Sequence, residues 1–517
     1  MLRSPTRCMA ALLAAAALAG VAPGVAGARA LPLGAPNLPE ARTARSLAPG
    51  LSLTRIQRGA APAAESYTVS VGFTAVAADA DALAMQLAAE GFGARVETIT
   101  QRAADDPAPG PLGYVVRAGS FTTQADATAL RNSIVAAGHA SARVDWTGED
   151  GGATTGPWVA QVLTIDPRRF RGTVAPVLGS GFVPGREKLT SISARLHAIA
   201  AVNGGYFVVT DADGTEGDLA GISVVRGRLA SEAVAGRTSL VLPSPGGVGA
   251  RISSLWTRDV VRSSDGAVRE LDGVERGPGL IRACGGVGGD QPTILPKHDF
   301  TCTDAGEVIR YTSLFGPATP PGDGAEAVLD RAGRVTALRG ARGGPIPVGG
   351  SVLSGTGDGA GWLREHARPG RRIAVRLRVR SEAGPLALRR TLGVVNGGPR
   401  LLRAGRPAIP ARAEGFVWPD NAEFFWRFGV RRNPRTMAGL TRDGRLLLVT
   451  VDGHAAGFSV GATFQEEAGI MQVLGAREAV NLDGGGSTTM TVGGRLVNRP
   501  SDATGERPIG DAIVVRR

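Results

Sequence analysis

The stretch AVNLDGGGSTTMTV, residues 479 to 492, runs an apolar strand into an acid, three glycines and three hydroxyl residues. Ala479, Val480 and Leu482 suit a buried strand, while Gly484, Gly485 and Gly486 let the backbone turn with positive φ or approach a ligand closely. Asp-Gly is also a common hairpin pair, so a plain turn and a ligand-cradling loop both fit this stretch taken alone. The second reading rests on surplus. Two glycines suffice for a tight turn, and a third followed by Ser487, Thr488 and Thr489 leaves several N–H and O–H donors around one carboxylate, Asp483. The theme occurs twice more, in AVNGGYF from residue 201 and VVNGGPR from residue 394. Three independent hairpins would explain it. So would three strand ends delivering Asn203, Asn396 and Asp483, with exposed backbone amides, to one place.

The first 28 residues carry Arg3 and Arg7, an apolar run from Met9 to about Leu18, and small residues ending at Ala28, the pattern of a secretory signal. That run is too short for a membrane span, and no later segment offers about 18 uninterrupted apolar residues. A soluble mature protein outside the cytoplasmic membrane is expected, with no membrane span after cleavage. At 517 residues the chain should hold two or more domains, and 75 glycines with 33 prolines favour a turn-rich, strand-rich fold. The net charge of +12 comes almost wholly from arginine, since Lys188 and Lys297 are the only lysines. A basic surface favours an anionic neighbour, but without a recognisable reading motif nucleic acid is not an expected partner. Cys8 leaves with the signal. Cys284 and Cys302, 18 apart, then read as a disulfide across ACGGVGGDQPTILPKHDFTC. A metal site using His298 and Asp299 is the alternative, although no second pair of spaced ligands accompanies it.

The elements that must position the glycine turns fall into two domains. Residues 29 to 65 are rich in Ala, Pro, Gly and Arg without periodicity and read as a linker. Residues 66 to 147 hold an internal repeat. YTVSVGF from Tyr67 and YVVRAGSF from Tyr114 open two copies, with Leu83 and Leu130 both 16 residues after their tyrosine and Gly91 and Gly138 both eight later. ARVETI and ARVDW close them as strands. Two strand, helix, strand copies make a small ferredoxin-like unit with helices on one face of a sheet. This unit resembles the SPOR domain. The resemblance implies binding of peptidoglycan glycan strands on the sheet face, with Tyr67 and Tyr114 as candidates there and core packing as their other reading. After a second linker at 148 to 157, short strand-like runs such as GRLLLVTVDG and DAIVVR alternate with turns. One clear helix, ATFQEEAGIMQVLGA at about 462 to 476, carries an apolar stripe of Phe464, Ala468, Met471 and Leu474. The expected fold class is α+β, with the small repeat domain followed by one large strand-rich domain over 158 to 517.

RNPRTMAGL, TFQEEAGIMQ, AVNLDGGGSTTM and NRPSDATGERPIGDAIVV, together with NGGYF and NGGP, are similar to the phosphodiester glycosidase family. The resemblance implies hydrolysis between the anomeric carbon of a sugar and a phosphodiester oxygen, of the N-acetylglucosamine 1-phosphodiester kind. A phosphate is already a good leaving group, so positioning and charge neutralisation outweigh a strong general acid. On that reading Arg435 offers phosphate oxygens a planar, always charged fork beside Thr436, and the loop Gly484, Gly485, Gly486, Ser487, Thr488 supplies further donors. Candidate bases or nucleophiles are Asp483, Asp452 and Glu466. The family's Thr-Leu-x-Glu pattern falls on Thr463 to Glu466 and favours Glu466 over Glu467, while Asp452 has turn capping as a competing role. His454 stands where the family pattern has arginine. Asn203, Gly204, Gly205 and Asn396 complete the binding set. Asn498, Asp502 and Arg507 either contact substrate or brace the site. No cofactor is assigned: the clustered acids leave room for a divalent cation, but no His/Asp spacing demands one.

Together the resemblances imply a secreted, wall-associated hydrolase, tethered to peptidoglycan by residues 66 to 147 and acting on sugar phosphodiesters of cell-wall or exopolysaccharide material. Two other accounts fit the same residues: a phosphodiesterase attacking phosphorus, and a non-catalytic peptidoglycan-binding protein. The survival of Asn203, Arg435, Asp483 and Ser487 favours a working site over a decayed one.

Overall fold

The computed structural model describes residues 29–61, 65–234, 236–282, 284, 291–292, 301–418 and 420–517. The expected leader lies outside them, as do His298 and Asp299.

Apolar residues run along Trp158–Ile165, Leu446–Val451, Arg435–Thr441 and Ala476–Asn481, which pair antiparallel in that order at the centre of an eight-stranded sheet. Successive side chains on a strand point to opposite faces, so the sheet builds two cores. Leu163, Leu448, Ala438 and Val480 enter one core, closed by a five-stranded sheet holding Ala200–Asn203 and Asp511–Arg516 and by a seven-stranded sheet holding Gly393–Asn396. Val162, Val449, Met437 and Ala479 face the other way, toward the helix Phe464–Val473 and an aromatic group of Phe416, Phe425, Trp426 and Phe464. A further strand-rich lobe packs Leu329, Val335 and Leu353 against the helix Gly357–His366. The architecture is α+β and strand-rich. Cys284 and Cys302 are disulfide-bonded, with Cα atoms 5.9 Å apart. Among the described residues no helix is long and apolar enough to cross a membrane.

Both stretches expected to be linkers are built into this body. Glu40–Ala48 and Leu51–Arg58 form a hairpin, and Leu51–Arg58 pairs with Trp158–Ile165 to extend the eight-stranded sheet. LSLTRIQR buries Leu51 and Leu53 in one core and Ile56 in the other, and the buried Arg58 donates to the carbonyls of Leu33, Ala35 and Leu38. In the second stretch Glu149 is buried and pairs with Arg431 at 3.2 Å and His454 at 3.0 Å.

The repeat unit has its two expected copies: Tyr67–Thr74, Ala77–Ala89 and Ala94–Ile99, then Gly113–Phe121, Gln124–Ala136 and Arg143–Trp146, in one four-stranded antiparallel sheet. Helices cover one face through Val69, Val71, Val116 and Ala118, and Tyr114 packs on this side as core. The opposite face, expected to take glycan, is packed against the large domain. Phe73 stacks on Trp426 at 5.3 Å, and Val115 and Trp146 share the Trp426 core. Arg117 lies over the same indole and pairs with Asp150 at 2.6 Å. Arg427 and Arg431 also flank that ring and approach Asp145 at 3.3 Å and 3.7 Å. Burial works to push the Asp145 carboxyl up, but Arg431, Arg427 and Ser70 hold it below its ordinary value.

Removing one member of such a buried charge group leaves the others uncompensated, at a cost of about 3–5 kcal/mol. Arg431→Met should lower the stability of the whole chain by an amount of that order. Urea unfolding followed by tryptophan fluorescence should lose both domains in one transition. Two separate transitions, with the repeat domain's midpoint unmoved, would show that the domains are independent.

Candidate active site

Three strand ends meet. Asn203 is buried, donates Nδ2 to the Asp483 carbonyl at 2.7 Å, and accepts at Oδ1 from Thr436 Oγ1 at 2.8 Å and Thr489 N at 3.1 Å. Asn396 accepts from Tyr206 N at 2.8 Å and donates to Tyr206 O at 3.2 Å, which holds the NGGYF turn. The Tyr206 hydroxyl donates to Gly398 O at 2.7 Å and accepts from Asn481 Nδ2 at 2.6 Å. The three glycine turns are therefore one polar assembly.

Glycine is required where the turns touch. A Cβ on Gly204 would lie 2.2 Å from Asp511 Oδ1, and one on Gly205 would lie 2.5 Å from Asn396. Gly486 backs onto Asp502 and Arg507, whose ion pair closes at 2.8 Å. Gly485 instead has φ +57° and faces open space. The expected cradle of free amides is mostly spent inside the protein. Gly484 N–H donates to Asp483 Oδ1 and Gly485 N–H to Pro434 O, both at 2.9 Å, while Ser487 and Thr488 N–H close the turn on Gly484 and Gly485. The guanidinium that acts electrostatically on Asp483 belongs to Arg507, which is partly exposed.

Burial pushes the Asp483 carboxyl up to about 6, against the opposing pull of Ser487, Arg507 and the Gly484 N–H. Asp511 opens the strand Asp511–Arg516 and is buried. Its Oδ1 accepts from Gly205 N at 2.9 Å, while Oδ2 is buried without a hydrogen-bond partner. Burial pushes this carboxyl up to about 7 against the Gly205 N–H, and the charge on Asp483 adds to the rise. Gly204 joins the two acids, donating its N–H to the Asp511 carbonyl at 3.0 Å and accepting from Asp483 N at 3.3 Å. Sequence reasoning passed over Asp511. The available signal was an acid opening the otherwise apolar strand DAIVV.

Asp452 is buried and accepts at Oδ1 from Asn498 Nδ2 at 3.0 Å and Arg499 N at 3.1 Å, with Oδ2 again unpartnered. Burial raises it to about 6. Asn498 also donates to Thr488 O at 3.0 Å, tying Asp452 to the glycine loop.

Two expected site residues point elsewhere. Glu466 completes a capping box with Thr463 at the start of Phe464–Val473 and binds Arg432 at 2.7 Å, so its carboxylate is committed to the helix end. Arg435 is 1% exposed, pairs with the fully buried Glu467 at 3.0 Å, donates to Ala462 O at 2.9 Å and lies over the rings of Phe428 and Phe464. Its fork faces the core, where a phosphate cannot reach. Glu467 is likewise an interior partner rather than a solvated acid. Among the described residues no group of three or more His, Cys, Asp or Glu side chains could hold a metal ion.

The family model described as phosphodiester glycosidase matches residues 323–516, and the SPOR domain model matches residues 63–145. A Burkholderia pseudomallei K96243 protein named as an exported protein is similar over 94% of this chain and 98% of its own, at 35% identity and a TM-score of 0.85. A hypothetical protein from Synechocystis matches over 92% of this chain and 76% of its own at 19% identity and a TM-score of 0.53, a likeness of fold alone. The catalytic domain of zebrafish N-acetylglucosamine-1-phosphodiester alpha-N-acetylglucosaminidase matches over 82% of this chain and 88% of its own, at 13% identity and a TM-score of 0.35. No curated protein matches the chain.

Carboxyls raised in the folded state contribute fully to stability below their unfolded value, and that contribution is withdrawn as pH rises through the folded value. For Asp511 the window runs from 3.8 to about 7. Asp511→Asn can no longer ionise and should raise Tm by a few degrees at pH 8 while leaving it unchanged near pH 4. Calorimetry at the two pH values measures this, and no gain at pH 8 would mean that Asp511 is not a buried titrating group.

Proposed function

The chain belongs to the phosphodiester glycosidase family and carries a SPOR domain, and from that premise we propose that it is an exported hydrolase acting between a sugar's anomeric carbon and a phosphodiester oxygen in cell-wall or exopolysaccharide material. The observation that carries this reading is the pair of acids joined through Gly204, Asp483 raised to about 6 and Asp511 raised to about 7. Two neighbouring carboxyls in one poorly hydrated place resist ionising together, so between them they can hold one proton and divide the roles of base and proton carrier near neutral pH. Asp483, half-buried, acts on the water or the anomeric centre. Asp511 holds a proton beside it. Arg507 meets the phosphodiester in place of Arg435, its orientation set by two bonds to Asp502 at 2.8 Å and 2.9 Å. Asn203, Thr436, Asn396 and Asn498 keep the turns in register. The SPOR domain supports a peptidoglycan-associated place of action, and the similar Burkholderia protein, named as exported, supports a place outside the cytoplasm.

Hydrolysis of methyl N-acetylglucosamine 1-phosphodiester in oxygen-18 water should put the label in the released sugar. Label in the phosphate would mean attack at phosphorus instead, and no turnover on this or related sugar 1-phosphodiesters would leave a binding protein. Asp483→Asn should keep its fold and lose about 10²–10⁴-fold in kcat, the range for losing acid–base help. A near-normal rate would remove Asp483 from the chemistry.

A further inference from the structure

In the strand-rich lobe, the strand Val308–Tyr311 carries a guanidinium below the surface. Arg310 is flanked across the sheet by Leu353 and Val274, and its side chain lines a mostly polar cavity of about 270 Å³. Its Nε is enclosed without a hydrogen-bond partner, and the guanidinium makes no ion pair among the described residues. Burial weakens its hold on the proton and Arg228 adds to this, while Glu275 and Asp259 oppose it. Neither acid is a dedicated counterion. Glu275 accepts from the Thr312 N–H at 2.9 Å and from the Thr312 hydroxyl, and Asp259 accepts from Arg378 N at 2.8 Å. Burial raises each of these carboxyls to about 7, so neither carries a full charge near neutral pH. A cation held this way costs the fold stability unless something supplies the missing negative charge.

Two turns bring further cations to the mouth. Gly333, at φ +78°, lets its turn lie against the strand Ile373–Arg376: a Cβ there would sit 2.6 Å from Ile373 O, and Ile373 N–H donates to Gly333 O at 2.8 Å. That contact puts Arg331 and Arg372 on one cavity wall. Across from it, the bare Gly349 faces Arg331, whose Nη2 would lie 3.5 Å from a Cβ at that position. Arg331 and Arg372 are exposed and make no ion pair among the described residues. Asp330, the acid in the wall, spends its Oδ1 on the N–H groups of Ala332 and Arg334 at 2.9 Å and 2.8 Å.

Three guanidiniums without a carboxylate partner suit an anion with several oxygens and more than one charge. A phosphomonoester has three free oxygens and nearly two charges, whereas a carboxylate or a phosphodiester has two free oxygens and one charge. The volume is at the small end for ligand cavities, enough for a phosphoryl group and a short substituent but not for a polymer segment. We propose that this cavity binds a phosphate dianion, free or as the head of a small phosphomonoester, with Arg310 beneath it and Arg331 and Arg372 at the mouth. The site shares no residue with the strand ends that hold Asp483 and Asp511. The proposal does not depend on the functional reading above, under which a phosphomonoester is the class of product released.

Isothermal titration calorimetry of the full mature chain in phosphate-free buffer at pH 8 tests it, with inorganic phosphate, ethyl phosphate and diethyl phosphate as probes. The first two should bind and raise Tm, and the singly charged diester should bind at least about tenfold more weakly. Either order of the first two supports the site, and the tighter one names its occupant. Arg331→Gln and Arg372→Gln should each weaken phosphate about tenfold without moving Tm in its absence, the loss of one charge-assisted contact. Arg310→Met should abolish the phosphate-dependent rise in Tm, and without phosphate its own Tm should be no lower than that of the unmodified chain. No binding by the unmodified chain, or unchanged binding in both rim variants, overturns the proposal. So does binding that is lost in Arg507→Gln and kept in Arg331→Gln, which would put the phosphate at the strand ends. A lower Tm for Arg310→Met without phosphate, with the phosphate-dependent rise retained, would make Glu275 and Asp259 its partners and overturn the site. Equal affinity for the diester overturns the dianion assignment.

Discussion

A methyl group on Gly204 would sit 2.2 Å from the Asp511 carboxylate, and one on Gly205 would sit 2.5 Å from Asn396. Three strands from three sheets can end against one another only because glycine leaves that room. The rest of the site follows from this contact. With Gly204 between them, Asp483 and Asp511 share a poorly hydrated place, and desolvation raises both. With Gly486 bare, the Asp502–Arg507 pair can lie on the turn and set a cation near Asp483. Asn203, Asn396 and Asn481 then satisfy the backbone groups that strand ends leave behind.

Position, rather than protonation, separates the interior acids from those at the strand ends. Glu466 has the helix start and Arg432, while Glu467, which burial raises to about 8 and whose two carboxyl oxygens lack a hydrogen-bond partner, is answered only by the charge of Arg435. Asp452 and Asp511 each keep one buried oxygen without a protein partner, and both are raised. A buried oxygen left unpaired costs stability, and what distinguishes Asp452 and Asp511 from Glu467 is that theirs lie beside the glycine turns while Glu467 faces the Arg435 guanidinium in the core.

The strand-into-glycine theme was legible because it combines an apolar run, an amide or acid, and residues that only a tight approach requires. That was enough to place Asn203, Asn396 and Asp483 together. Direction was not legible. Arg435 sits two residues after Asn433, which lines a polar cavity where the two domains meet, yet its own side chain enters the aromatic group between Phe428 and Phe464, a choice made by strand pleat and tertiary packing. The hairpin at 40–58 was hidden because its pairing partner, Trp158–Ile165, lies about a hundred residues on, past an entire domain. Loop-like composition in the segment outweighed the alternation in LSLTRI. The repeat unit's strands and helices were readable from period and spacing, but a sheet face that meets Trp426 and one that meets solvent look alike in a single sequence.

The central claim is that chemistry occurs at the meeting of the strand ends, with Asp483 at the sugar and Arg507 at the phosphate. A crystal structure of Asp483→Asn bound to a non-cleavable sugar 1-phosphonate ester measures this directly. The account predicts the anomeric carbon beside residue 483, the phosphonate against Arg507, and Arg435 still enclosed by Phe428 and Phe464. A phosphonate bound to Arg435, or a sugar seated away from Gly204, would contradict it.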